Sequence, residues 1–216
     1  MNPDGGGCVN LRIQKLKALP KTDPLLPQWQ EDLAKLEPVA VLNWAQVRFA
    51  RRLVLATSLG QEDQVLTDML AQVDPEVRIV TLDTGRLFTE TYELIERTER
   101  RYGIRIELFS PDSSEVESMV RQHGVNLFRQ SVDLRKLCCS IRKLHPLERA
   151  LQGSEAWICG LRREQSVTRQ EIQVIETAFQ SQYNPVKTFV IYQYVGACSD
   201  GKKIHLICFN QFQEIL

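Results

Sequence analysis

Three stretches of the 216-residue sequence carry side chains whose types and spacing could do chemistry. The first is Lys136-Leu137-Cys138-Cys139-Ser140-Ile141-Arg142-Lys143, two adjacent thiols among basic residues. A disulfide between them is disfavoured. Neighbouring Cα atoms sit about 3.8 Å apart across a trans peptide, whereas ordinary bridges span roughly 4.4–6.8 Å. Two thiolates offered to one metal centre meet no such conflict, and cationic neighbours favour the thiolate. Iron–sulfur clusters are held by four cysteine thiolates, so this pair would be half of a site. The competing reading is two thiols packed as small hydrophobes.

The second stretch is Ser58-Leu59-Gly60-Gln61-Glu62-Asp63. It stands between an apolar run, Leu53 to Thr57, and a helical pattern carrying Val65, Leu66, Met69, Leu70 and Val73 on one face. Strand, glycine turn and helix N-terminus together make an anion site, because the first turn of a helix presents free N–H groups and a partial positive charge. Gly60 admits close backbone approach, and Ser58 can donate a hydroxyl. An ordinary capped turn is the alternative. The third stretch follows Gly160 and holds Arg162, Arg163, Gln165, Ser166 and Arg169. Guanidinium forks match phosphate and sulfate oxygens, each charge-assisted bond contributing roughly 1.5–3 kcal/mol. A solvated basic loop is the competing reading.

The elements that would position these groups alternate. Residues 53–57, 78–82, 104–109 and 156–160 read as strands, with Ile104, Ile106 and Leu108 on one side of the third. Helical patterns cover Trp29 to Leu36, Ala40 to Phe49, Thr89 to about Arg101 and a run from Ser113 to Gly124, and a short one runs from Leu147 to Leu151. Strands alternating with helices imply a parallel sheet covered on both faces, whose ligands bind beyond the carboxyl ends of the strands. The Ser58, Asp83 and Gly160 loops all lie at such ends. Residues 189–195 and 204–209 read as short strands around a Cys198-Ser199-Asp200-Gly201 turn, without a recognisable motif.

Lys+Arg and Asp+Glu number 27 each, which gives no global pull toward nucleic acid or an anionic membrane. No apolar run approaches the roughly 18–20 residues of a spanning helix. Met1 to Gly7 lacks the apolar core of a signal peptide, and Gly5-Gly6-Gly7 is not followed by Lys-Ser/Thr at phosphate-loop spacing. Six irregularly spaced cysteines then suggest a reducing compartment, read here as cytoplasmic.

Taken together, Ser58 to Val65, Leu82-Asp83-Thr84-Gly85-Arg86-Leu87-Phe88 with Thr89-Glu90-Thr91, Cys138 to Leu147, and Gly160 to Ser166 resemble the adenylylsulfate and phosphoadenylylsulfate reductase family of assimilatory sulfate reduction. The resemblance covers roughly residues 35–186. It implies a Rossmann-like α/β fold of the adenine-nucleotide α-hydrolase type, with residues 1–34 as an extension and entry helix and 187–216 as a divergent tail. It implies that the loop from Ser58 to Asp63, with Ser58 and Gly60 as contacts, receives the phosphosulfate end of the nucleotide. Leu82, Thr84 and Gly85 would border the adenosine, while Gly160, Arg162, Arg163, Gln165 and Arg169 would meet phosphate and sulfate. Cys138 and Cys139 would be two ligands of a [4Fe–4S] cluster, with Lys143 offsetting its charge. The cysteine pair marks the cluster-bearing branch, which usually uses adenylylsulfate rather than the 3′-phosphorylated form.

The same resemblance implies two further ligands in a Cys-x-x-Cys and a nucleophilic cysteine in a C-terminal Glu-Cys-Gly. That thiolate would attack the sulfur and expel AMP, and thioredoxin would release sulfite from the S-sulfocysteine. This sequence has neither motif, and Cys8, Cys159, Cys198 and Cys208 lack the matching context. No catalytic residue is therefore assigned, and agreement ends near Asn184-Pro185-Val186, the pattern a frameshift or truncation would leave. The expected activity is thioredoxin-dependent reduction of adenylylsulfate, with this chain inactive by itself. The alternatives are a non-catalytic nucleotide-binding relative and an ATP-pyrophosphatase-like adenylating or thiolating enzyme. The latter fits poorly, since Ser58 to Asp63 departs from the Ser-Gly-Gly-x-Asp-Ser loop of that group. A homo-oligomer is left open.

Overall fold

The computed structural model describes residues 23–160, 173–177 and 189–193. Six strands form one sheet in the order β3-β2-β1-β4-β6-β5. They are β1 (Leu53–Ala56), β2 (Arg78–Leu82), β3 (Ile106–Phe109), β4 (Ala156–Gly160), β5 (Ile175–Thr177) and β6 (Phe189–Gln193). All neighbours pair in parallel except β5, which runs antiparallel to β6. Seven α-helices accompany the described strands: α1 (Leu26–Leu33), α2 (Pro38–Phe49), α3 (Gln61–Val73), α4 (Thr89–Tyr102), α5 (Ser113–His123), α6 (Val132–Cys139) and α7 (His145–Ala150). The expected α/β architecture with a parallel sheet is present.

Alternation along the central strands feeds two cores. Leu53, Leu55, Ile79 and Ile158 face one layer, with Leu42, Phe49, Leu66 and Leu70 from α2 and α3 and Ile95 from α4. Val54, Val80 and Trp157 face the other, with Ala150 and Leu151 at the end of α7. Burying each such side chain contributes about 1.5–3 kcal/mol, so the central strands are fixed on both faces and their carboxyl ends are held in register.

Several boundaries have visible local causes. Pro38 stands at the first turn of α2, where its missing N–H costs nothing. Gly103 ends α4 in the left-handed region at φ 66°. Helix α5 is capped by Asp112, whose carboxylate accepts from the Ser114 and Glu115 N–H groups. Three features depart from the sequence pattern. Leu108, expected on one side of its strand with Ile104 and Ile106, is 45% exposed where those two are buried, and β3 is the edge of the sheet. Helix α1 begins at Leu26 and stops at Leu33, earlier at both ends than the apolar pattern implied. β5 was not anticipated. The Gln30 side chain of α1 donates to its Ile175 carbonyl at 2.9 Å. The strand expected after residue 188 is observed as β6 beside β4, whereas residues 204–209 lie outside the described residues.

Candidate functional site

The carboxyl ends of β1 and β4 meet at the point where the sheet order reverses, since β2 and β3 lie to one side of β1 and β4 to the other. Crevices of this kind bind ligands in open α/β sheets. Asp63, in the first turn of α3, organises this one. One carboxylate oxygen accepts from the Ser58 N–H at 2.5 Å and the Ser58 hydroxyl at 2.6 Å. The other accepts from the Gly160 N–H at 3.0 Å. Asp63 is buried, and that burial pushes its pKa above the ordinary value, outweighing the three donors that pull it down.

Gly160 is required by this closeness. A Cβ there would lie 2.4 Å from Asp63 Oδ1 and 3.1 Å from the Asp63 nitrogen. Leu59, between Ser58 and Gly60, adopts φ 62°, a region costly for a branched side chain. It is nevertheless buried, and its N–H donates to the Thr57 hydroxyl at 2.9 Å. The loop is thus held in one shape by side chains packed beneath it.

The end of β2 supplies the neighbouring loop. β1 and β2 stay joined beyond their ladder, through Thr57 N–H to the Val80 carbonyl at 2.9 Å and the Thr81 hydroxyl to the Thr57 carbonyl at 2.8 Å. Asp83 then accepts the Gly85 N–H at 2.8 Å and the Tyr92 hydroxyl at 3.0 Å, tying the turn to α4. Arg86 donates to the Val125 carbonyl and stacks over Phe128 at 5.0 Å. From a third direction, Arg142 Nη1 donates to the Thr84 carbonyl at 2.6 Å. Gly85 has φ 68°, and a Cβ there would lie 3.1 Å from Arg142 Nη1. Both conformation and space call for glycine.

Arg142 belongs to the cysteine segment. Cys138 and Cys139 end α6, and Ser140–Leu144 continues as a π-turn into α7. Such turns are concentrated at functional positions. Cys138 is buried with Met119 and Leu127, while Cys139 is half-buried. His145 bridges the Ser140 hydroxyl at 3.2 Å and the Glu115 carboxylate at 3.0 Å, fastening the π-turn to α5. As a donor set the pair fits half of a four-thiolate centre. Among the described residues no group of three or more His, Cys, Asp or Glu side chains could hold a metal ion. The described residues therefore do not complete the cluster's ligand set.

Ser58, Gly60, Leu82, Thr84, Gly85 and Gly160 all lie at or beyond the carboxyl ends of β1, β2 and β4. Arg162, Arg163, Gln165 and Arg169 lie outside the described residues, as do Cys8, Cys198 and Cys208. Sequence reasoning placed Asp63 in the phosphosulfate loop without giving its side chain a task of its own, and assigned no role to Tyr92 or Arg142. The Ser58 hydroxyl, expected to donate to a ligand, and the N–H of Gly160, expected at the substrate site, both donate to Asp63. A cleft of about 540 Å³ lies at the opposite end of the sheet, beside Leu53 and Arg78, away from every one of these residues.

The sequence profile of the phosphoadenosine phosphosulfate reductase domain matches residues 52–191, from the start of β1 into β6. The chain belongs to this family. Adenosine 5'-phosphosulfate reductase of Allochromatium vinosum is 52% identical over 143 residues, 66% of this chain and 56% of the relative. That of Sinorhizobium fredii NGR234 is 50% identical over 118 residues, 55% of this chain and 47% of the relative. That of Pseudomonas aeruginosa is 38% identical over 184 residues, 83% of this chain and 68% of the relative. The chain thus spans about half the length of the first two relatives. The solved structure of phosphoadenylyl-sulfate (PAPS) reductase from Candida auris in its phosphate complex superposes with a TM-score of 0.62 over 81% of this chain and 80% of that one. At 23% identity it shows a shared fold. Among the described residues no helix is long and apolar enough to cross a membrane.

Proposed function

We propose that this chain carries the substrate-binding part of an adenylylsulfate reductase of assimilatory sulfate reduction, working in the cytoplasm with thioredoxin as dithiol partner. The observation that carries the reading is the junction of the Ser58, Asp83–Gly85 and cysteine segments. Asp63 ties the first to Gly160, and Arg142 ties the second to the third. Adenylylsulfate is anionic, and the stretch of sequence bearing Arg162, Arg163, Gln165 and Arg169 begins directly after Gly160. Those side chains are assigned to its phosphate and sulfate oxygens, with the adenosine beside Leu82, Thr84 and Gly85.

Cys138 and Cys139 are assigned as two thiolate ligands of a [4Fe–4S] cluster, a group that would place a fixed charged centre beside the substrate. The reductive step itself needs a thiolate that attacks the sulfur while the sulfur–oxygen bond to AMP breaks. The S-sulfocysteine then yields sulfite as a dithiol is oxidised. No cysteine here stands in the Glu-Cys-Gly context of that nucleophile. That gap favours a second reading, a nucleotide-binding relative that does not turn over.

Calorimetry tests the binding claim. Adenylylsulfate and AMP should bind, and Arg163→Ala should weaken both by about tenfold or more, the loss of one charge-assisted contact. Unchanged affinity in Arg163→Ala would remove the assigned anion site. ATP-dependent pyrophosphate release by the purified chain would point instead to an adenylating enzyme.

A further inference from the structure

We propose that Arg142 is an anion-recognition residue of the nucleotide site, meeting the ligand's 5′-phosphate beside the Thr84–Gly85 turn, where the adenosine passes into the anionic end. This rests on the nucleotide-binding reading above. Arg142 is only 8% exposed. Guanidinium groups stay charged in proteins, and a buried charge is costly unless an opposite charge meets it. None of the six ion pairs among the described residues involves Arg142. Its one hydrogen-bond partner among the described residues, the Thr84 carbonyl, is a neutral dipole. Its Nε is buried without a hydrogen-bond partner among the described residues.

Among the described residues, then, a buried cation with no opposite charge and a spare donor is held against the backbone of the Thr84–Gly85 turn. Gly85 leaves that loop without a side chain above Nη1. The chemistry that satisfies such a group is an oxyanion, and the nucleotide's phosphate or phosphosulfate group supplies one. The cysteine segment thereby contributes to substrate recognition through its arginine, independently of any metal at its thiols.

The test compares a charged with an uncharged ligand. AMP and adenosine are titrated calorimetrically into the full chain, Arg142→Gln and Arg142→Lys. Glutamine keeps a donor for the Thr84 carbonyl and removes the charge. AMP affinity should fall by about tenfold or more in Arg142→Gln, the value of a charge-assisted bond. Adenosine affinity should change little, and Arg142→Lys should recover most of the loss for AMP. Equal losses for both ligands would make Arg142 a strut for the loop and overturn the proposal, as would no loss for either. Failure of the parent chain to bind AMP or adenosine would refute the nucleotide-binding reading and this inference with it. Should Arg142→Gln not fold, phenylglyoxal labelling of the parent chain decides. Protection of Arg142 by AMP but not by adenosine supports the proposal, and equal labelling with both contradicts it.

Discussion

Asp63 Oδ1 accepts the Gly160 N–H at 3.0 Å, joining residues 97 positions apart in sequence. Through the other oxygen, the same carboxylate holds Ser58. One side chain thereby fixes the spacing between the loop after β1 and the carboxyl end of β4.

Asp63→Asn should cost about 1–3 kcal/mol, because an amide nitrogen replaces one of two acceptor oxygens in a site built of donors. The pH dependence is the sharper reading. Burial raises the folded pKa of Asp63 above its ordinary value of 3.8, so native protein holds that proton more tightly than unfolded protein does. The contribution of Asp63 to stability is full below the unfolded value and declines as pH rises through the folded one. Urea denaturation across this range should show that decline in the parent chain and its loss in Asp63→Asn. Identical pH profiles would mean Asp63 titrates as it does when unfolded.

Gly160→Ala should destabilise by about 1–3 kcal/mol through overpacking, since its Cβ would fall 2.4 Å from Asp63 Oδ1. The clash is with a buried carboxylate and the α3 backbone, which have little room to shift. A melting temperature equal to the parent's would show that Gly160 is not packed against Asp63.

Gly85→Ala should cost about 1–2 kcal/mol from its left-handed backbone alone and should also displace Arg142 from Thr84. Nucleotide affinity is expected to fall further than the stability change accounts for. A stability loss with unchanged AMP affinity would separate this turn from the binding site.

What the sequence revealed followed local rules. β2 and β4 were legible as short apolar runs, and α4 ended at Gly103 because only glycine is at ease in the left-handed region there. Leu108 misled because alternation reports which face a side chain shares, not whether the sheet continues beside it. β5 has three residues and exists through its pairing with β6, a contact that leaves no periodic trace. Asp63 resembles any acidic residue in a first helical turn, and its burial comes from β4, almost a hundred positions later. Arg142 reads as one more basic neighbour of the cysteines. Its role emerges only when the π-turn carries it beneath Thr84.

Anaerobic reconstitution with iron and sulfide should leave this chain without a stable four-iron cluster, because Cys138 and Cys139 supply two of four thiolates. Iron analysis and visible absorption after desalting are the readout. A stoichiometric cluster that survives would make Cys198 and Cys208 ligands.

Sulfite release from labelled adenylylsulfate with reduced thioredoxin is expected to be absent, since binding without a mobile thiolate gives no covalent intermediate. Mass spectrometry for an S-sulfonated cysteine accompanies the assay. Turnover lost in Cys198→Ser would make that residue the nucleophile.

The central claim is the location of the nucleotide at the carboxyl ends of β1, β2 and β4. Amide hydrogen exchange with and without adenylylsulfate measures it most directly. The predicted result is added protection at Ser58 to Gly60, at Thr84 and Gly85, and at Gly160. Protection confined to the cleft beside Leu53 and Arg78, at the amino ends of the strands, would contradict it.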